Sequence, residues 1–292
     1  MVEKISFSNY KLFKSKQELE IKPITVLFGK NNTGKSAVSK LPIIISQILK
    51  GDDIKWEYKL ENDLENTIEI GNSFKDLIYN RNGIGFLKII IEKEEETLEF
   101  DYNEDAGFAF ISYNHSEIDN VENVNSITEI LKTKDFNFDI EFIESIRSET
   151  LLNYTDATDY IKGIGNKGQN AIYLLINSLK SDGKLLKSVS SWIQENFEGW
   201  ELDLLKNDKG TSTTFELVLK RNSNSPINIR QTGQGIQQVY PLLVNSYLNF
   251  DENTLTIIQE PETHLHPAAH ANCFDPYKTR VFFRFCLNIL CC

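Results

Sequence analysis

Gly29-Lys30-Asn31-Asn32-Thr33-Gly34-Lys35-Ser36 matches the pattern GxxxxGK[ST] at every position. That pattern is chemistry for holding phosphate. The glycines permit backbone conformations that other residues resist, so successive N–H groups of Gly29, Asn31, Asn32, Thr33 and Gly34 can turn inward toward one anion. A helix that starts at the end of the loop adds its positive N-terminal end. Lys35 is then the residue that reaches the β- and γ-phosphates of a nucleotide. The Ser36 hydroxyl takes a place on Mg²⁺.

A phosphate loop alone does not choose among kinases, GTPases and ATPases. The discriminating stretch is Leu255-Thr256-Ile257-Ile258-Gln259-Glu260-Pro261-Glu262-Thr263-His264-Leu265-His266-Pro267. An apolar strand ending in an acid-proline turn suits a Walker B end, which lies beside the phosphate-loop strand. Glu260 is the expected water-polarising base, because a carboxylate near the γ-phosphate accepts a proton or hydrogen bond from water. Glu262 is the next candidate. Between the two motifs lies Gln231-Thr232-Gly233-Gln234-Gly235-Ile236-Gln237-Gln238-Val239-Tyr240-Pro241-Leu242-Leu243. Its glycines open an expected helix whose N–H groups could receive a phosphate held by another subunit.

The elements needed to position these residues can be read from periodicity. Lys4 to Phe7 and Leu19 to Ile21 are short strand candidates. Ile24 to Phe28 is apolar without alternation, as in a strand buried on both faces. Ala37 to Leu49 reads as a helix with Pro42 in its first turns. Phe86–Ile91 and Thr97–Tyr102 flank the acidic run Glu92–Glu96 and predict a hairpin with a solvated turn. Asn114 to Asn137 predicts a loop and a short helix, and Phe142 to Arg147 a strand end. Ala171 to Leu179 and Leu185 to Phe197 have helical spacing. Trp200 to Leu205 and Thr213 to Leu219 alternate like paired strands. Gly235 to Leu248 predicts a helix and Leu255 to Ile258 a second buried strand.

The bulk numbers exclude some functions. A formal net charge of -11 over 292 residues argues against binding nucleic acid by overall charge alone. No apolar run reaches the length of about 18 residues that a membrane helix needs, and the N-terminus lacks a signal-peptide core. A cytoplasmic protein without membrane contact is therefore expected. All four cysteines (Cys273, Cys286, Cys291, Cys292) lie in the last twenty residues, which is not the spread of a disulfide framework.

The three motifs in this order resemble the ABC-type ATPase head of bacterial "AAA family" proteins allied to SMC, RecF and the OLD nucleases. Ile5 to Phe13 is similar to their opening strand, GKNNTGKS to their GxNxxGKS loop, QTGQGIQQVYPLL to their DxGxGxxQxxPLL signature and IIQEPETHLHP to their IEEPExHLHP turn. A fourth stretch, Phe142–Arg147 with Gly163 to Leu175, is similar to YIxPLR followed by GxxGxxA. The resemblance runs from Met1 to about Ala271. It implies one α/β P-loop NTPase domain over 1–271, least determined at 51–140, with a mainly parallel core sheet plus antiparallel strands. It also implies ATP and Mg²⁺ as ligands, and a second copy of the chain as partner. Thr232, Gly233 and Gly235 would contact the γ-phosphate held by that copy. DNA maintenance or anti-phage defence is the implied setting, with DNA or a nuclease as further partners.

Two departures from the family pattern bear on activity. Gln259 stands at the Walker B aspartate position, so the Mg²⁺ contact loses a charge although the amide oxygen can still accept. Residues 272–292 are basic, aromatic and cysteine-rich where relatives continue with a helix, a strand and a switch histidine. This segment is expected to be a truncated or frame-shifted end lying outside the core. His264, His266, His270 and Cys273 could be read as zinc ligands, but HLHP is also the family's turn without a structural metal. The leading expectation is an ATP-driven dimerising switch. The alternative is a nucleotide-binding interaction module with little or no hydrolysis. A P-loop kinase would need a lid arginine and an acceptor site, to which no motif points.

Overall fold

The computed structural model describes residues 2–51, 54–60, 67–117, 136–156, 161, 163–209, 212–221, 225–248, 253–262 and 287–290. The chain opens with β1 (Lys4–Ser8), β2 (Gln17–Glu20) and β3 (Thr25–Phe28), and the phosphate loop leads into α1 (Lys35–Lys50). There follow β4 (Glu57–Tyr58), β5 (Ile68–Glu69), β6 (Leu87–Lys93), β7 (Glu96–Asn103), β8 (Gly107–Tyr113), β9 (Ser116–Glu117) and β10 (Asp139–Ile143). The second half holds β11 (Tyr154–Thr155), α2 (Ala171–Lys180), α3 (Lys184–Asn196), β12 (Glu201–Lys209), β13 (Ser212–Lys220) and β14 (Ile227–Asn228). It ends with α4 (Gln234–Tyr247), β15 (Thr254–Ile258) and β16 (Leu287–Leu290).

Two hydrophobic cores are built on the two sides of one parallel strand pair. β10 and β15 pair in register from Asp139 with Thr254 to Ile143 with Ile258. Every residue of β15 is buried. Phe142, Leu255 and Ile257 belong to a first core that also contains β1, β6, β7 and α1. Ile143 and Ile258 belong to a second core with α2, α3, β12, β13 and α4. Alternate side chains of a strand leave opposite faces, so a strand with a core on each side is buried at successive positions and not at every second one. That is the reason LTII carries no alternation.

The first core is closed by an antiparallel sheet of order β2-β1-β6-β7-β8-β9. The hairpin read from the acidic run is present, with Lys93 paired to Glu96 across Glu94 and Glu95. α1 packs between this sheet and β10. Ser46 Oγ donates to the Phe138 carbonyl at 2.9 Å in the buried contact, and Lys50 closes an ion pair to Asp139 at 2.8 Å. The second core is covered by β11-β13-β12, with β14 added to β13.

The structure corrects two expectations. Parallel pairing, among the described residues, is confined to β10 with β15 and β16 with β3, while the largest sheet is antiparallel. β3 is not buried on both faces: Val26 is 40% and Phe28 78% exposed, and only Thr25 and Leu27 turn inward. An apolar run records what a strand's faces tolerate, not what covers them. The backbone of β16 pairs in parallel with β3, from Leu287 with Thr25 to Leu290 with Phe28. Residues 263–286, which contain the candidate zinc set, and most of the loop and helix expected over Asn114–Asn137 lie outside the described residues.

One close approach ties the turn at Gly168 to the middle of α4. Gly168 has φ +72°, and a Cβ there would sit 2.7 Å from Cβ of Pro241 in α4. Gly168→Ala combines a left-handed φ on a non-glycine residue with a rigid clash. It should destabilise the fold by roughly 2–4 kcal/mol. A urea unfolding midpoint equal to the parent's would show that α4 does not press on this turn.

Candidate nucleotide-binding site

The phosphate loop keeps its shape because an aromatic wedge lies beneath it. β1 runs into a tight turn closed by Tyr10 N to Phe13 O at 2.9 Å and Phe13 N to Tyr10 O at 2.7 Å. Phe13 stacks edge-on against Phe7 at 5.5 Å, and Phe7 against Tyr10 at 5.8 Å. The Phe13 ring fills the space under Gly34, where a Cβ would lie 2.6 Å from Cζ; Gly34 itself has φ +91°. Only glycine meets both conditions. The Tyr10 hydroxyl donates to the Ala37 carbonyl at 2.8 Å. Burial pushes its pKa far above the usual phenol range, so it remains a donor.

α1 starts at Lys35 with Gly34 as its N-cap and no side chain bonded to its first N–H groups. Those donors are left for an anion. Lys35 Nζ donates to the carbonyls of Gly29 and Lys30, each at 2.7 Å. Two of its three donors thereby fix the ammonium over the loop, and the third is available to a phosphate oxygen. A cavity of about 610 Å³ opens here. It is lined by Asn31, Asn32, Gly34, Lys35, Ser36 and Ala37, by Leu12 from the β1–β2 turn, and by Glu260. Gly29 and Thr33 act inside the loop instead. Gly29 accepts from Lys35, and the Thr33 hydroxyl donates to the Lys30 carbonyl at 2.8 Å.

Glu260 lies two residues past the end of β15, with φ +44°. Gln259 extends the parallel ladder by one bond, its N–H donating to the Ile143 carbonyl at 2.8 Å. Its side chain turns to α1: Nε2 donates to Ser39 Oγ at 3.2 Å, and Ser39 donates to the Ser36 carbonyl at 3.0 Å. Of the two residues assigned to Mg²⁺, Ser36 therefore lines the cavity, whereas the Gln259 amide is engaged with α1 and does not line it. Arg147 was read from the sequence only as part of the fourth resembling stretch, with no role. It is 4% exposed, and its Nη2 donates to the carbonyls of Gln259 at 3.0 Å and Glu260 at 3.3 Å. No local sequence signal marks it, because both partners lie more than a hundred residues away.

Thr232, Gly233 and Gly235 do not line this cavity. Gly233 is the exposed N-cap of α4, without a side-chain cap bond, and a Cβ there would meet nothing within 4 Å. The Thr232 hydroxyl donates to the Ile229 carbonyl at 2.6 Å.

No protein-family profile and no curated protein sequence matches the chain. Solved structures do. An SMC head bound to the C-winged helix domain of ScpA superposes with a TM-score of 0.56 at 13% identity, over 99% of this chain and 90% of that one. The SMC head domain from Thermotoga maritima gives 0.49 at 12% identity, over 99% and 88%. The first likeness establishes the fold. The chain has the α/β, P-loop NTPase-type fold of an SMC head. Among the described residues, no helix is long and apolar enough to cross a membrane, and no group of three His, Cys, Asp or Glu could hold a metal.

The residues fit a nucleotide's phosphates: an uncapped 16-residue helix start, a cradle kept open by Gly34 over Phe13, and an ammonium fixed above it. They fit Mg²⁺ through the Ser36 hydroxyl, which lines the same cavity. A hydrogen bond to a charged group contributes about 1.5–3 kcal/mol, so Lys35→Ala should weaken binding of a fluorescent ATP analogue about ten- to a hundredfold. Unchanged affinity would remove this loop as the phosphate site.

Proposed function

We propose that the chain binds ATP with Mg²⁺ at the start of α1 and hydrolyses it, and that bound ATP joins two copies of the chain. One observation carries the reading: Glu260 lines the same cavity as Lys35 and Ser36, although the three come from opposite ends of the described chain. Lys35 and the first N–H groups of α1 hold the phosphates. Mg²⁺, when bound, neutralises phosphate charge beside the Ser36 hydroxyl. Glu260 accepts a hydrogen bond from the attacking water and orients it. The exposed, uncapped start of α4 at Thr232, Gly233 and Gly235 supplies the second copy's donors to the γ-phosphate. Work on DNA, alone or with a nuclease partner, in DNA maintenance or anti-phage defence follows from the sequence resemblance and belongs to the same proposal.

A second reading is favoured by the Gln259 side chain. A neutral amide that donates to Ser39 gives a metal less charge than an aspartate would. The chain would then hold ATP and scarcely turn it over, acting as a nucleotide-dependent interaction module.

Two substitutions separate these statements. Glu260→Gln removes the proton acceptor while preserving size, so it should keep ATP affinity and abolish turnover. Equal phosphate release by both proteins would move the base elsewhere, with Glu262 next in line. Gly233→Asp has room for its side chain, and aspartate is a favourable N-cap, so the fold should survive. Its charge would oppose an incoming γ-phosphate. Light scattering with a non-hydrolysable ATP analogue should show dimers for the parent and monomers for the variant; dimers in both, or dimers without nucleotide, would refute ATP-dependent pairing.

A further inference from the structure

The peptide carbonyls on either side of one residue report its backbone angles. In an extended strand, successive carbonyls point to opposite sides. At the end of β15 the carbonyls of Gln259 and Glu260 both accept from the same nitrogen, Nη2 of Arg147, at 3.0 and 3.3 Å. A single donor can reach both only where the chain turns between them. It does turn: Glu260 has φ +44°, in a region that non-glycine residues avoid. The turn is also what brings Glu260 to the wall of the phosphate cavity.

Arg147 is itself held on both sides. Glu144 N donates to the Asn166 carbonyl at 2.7 Å and Ser148 N to the Lys167 carbonyl at 2.8 Å. These bonds tie the loop after β10 to the turn that carries Gly165 and Gly168. Arg147 is 4% exposed, so its guanidinium is buried, with Nη2 aimed at backbone, and is not a solvated surface charge.

We propose that Arg147 is a positioning residue for Glu260: by gripping the peptides before and after it, the guanidinium holds the left-handed turn that sets the carboxylate against the phosphate cavity. The inference rests on the ATP-hydrolysis reading for its consequence, and on the two carbonyl bonds for its geometry. Arg147 does not touch substrate. Its loss acts through the placement of Glu260, and misplacement of a reacting group by an ångström can lower a rate about a hundredfold.

The test uses the full chain with Arg147→Met, and with Arg147→Gln, which keeps a neutral donor but loses the charged guanidinium. Three quantities are read: the ¹³Cα and ¹³Cβ shifts of Glu260, the affinity for a fluorescent ATP analogue, and kcat for phosphate release. In Arg147→Met the Glu260 shifts should leave the left-handed range while the rest of the spectrum is preserved. Affinity should stay within about threefold, and kcat should fall about a hundredfold. Glu260 shifts that do not move overturn the proposal. So does a fall in affinity as large as the fall in kcat, or a change spread over the whole spectrum, since either marks a purely structural role. If the methionine variant does not fold, the glutamine variant is judged by the same criteria. A parent chain that binds ATP without turning it over refutes the hydrolysis reading alone; the shifts of Glu260 then decide the role of Arg147.

Discussion

The parallel pairing of β10 with β15 is the interaction to which the rest of the molecule is referred. It is the wall between two cores, and each core is complete only because one face of this pair closes it. α1 is fastened to the wall at both ends, through Ser46 on Phe138 toward its C-terminus and through Ser39 with Gln259 near its start. The phosphate loop is therefore positioned by the strand that carries the acidic turn. A strand pair with a core on each side resists sliding, because a one-residue slip would exchange which side chains enter which core. That resistance is what keeps Lys35 and Glu260 on one cavity.

The electrostatics of the cavity run against those of the whole chain. A net charge of -11 repels a nucleotide at long range, but charges on an exposed surface are screened over about 8 Å at physiological salt. At contact distance, the uncapped N–H groups of α1 and the Lys35 ammonium dominate, since a charge-assisted hydrogen bond exceeds a screened repulsion. Lys35 is held by two carbonyls of its own loop, so little rotamer entropy is left to lose on meeting a phosphate.

What was legible in the sequence was local chemistry. GKNNTGKS predicted a strand, a tight loop and a helix, and β3, the Gly34 turn and α1 follow in that order. The acidic hairpin, the helices at Ala171 and Leu185, the paired strands after Trp200 and the buried strand at Leu255 were each visible in periodicity. The misreadings concern surroundings. Val26 and Phe28 are apolar yet outward, and the paired neighbour of β3 is β16, at the far end of the chain. Arg147 was present in a resembling stretch but had no visible task, since its task is to hold backbone 112 residues away.

By itself, the sequence determined the phosphate loop, the acid-proline turn and the glycine-rich helix start. Each is a pattern of residue types within a few neighbouring positions, so it can be read without knowing any distant contact. Only the tertiary structure decided that Glu260 shares a cavity with Lys35 while Gly233 does not, that the Gln259 amide turns to Ser39, and that Arg147 grips the turn between them. Those outcomes depend on which strands become neighbours and in what register. Strand pairing is a bond between backbones, and backbone N–H and C=O groups are the same at every residue.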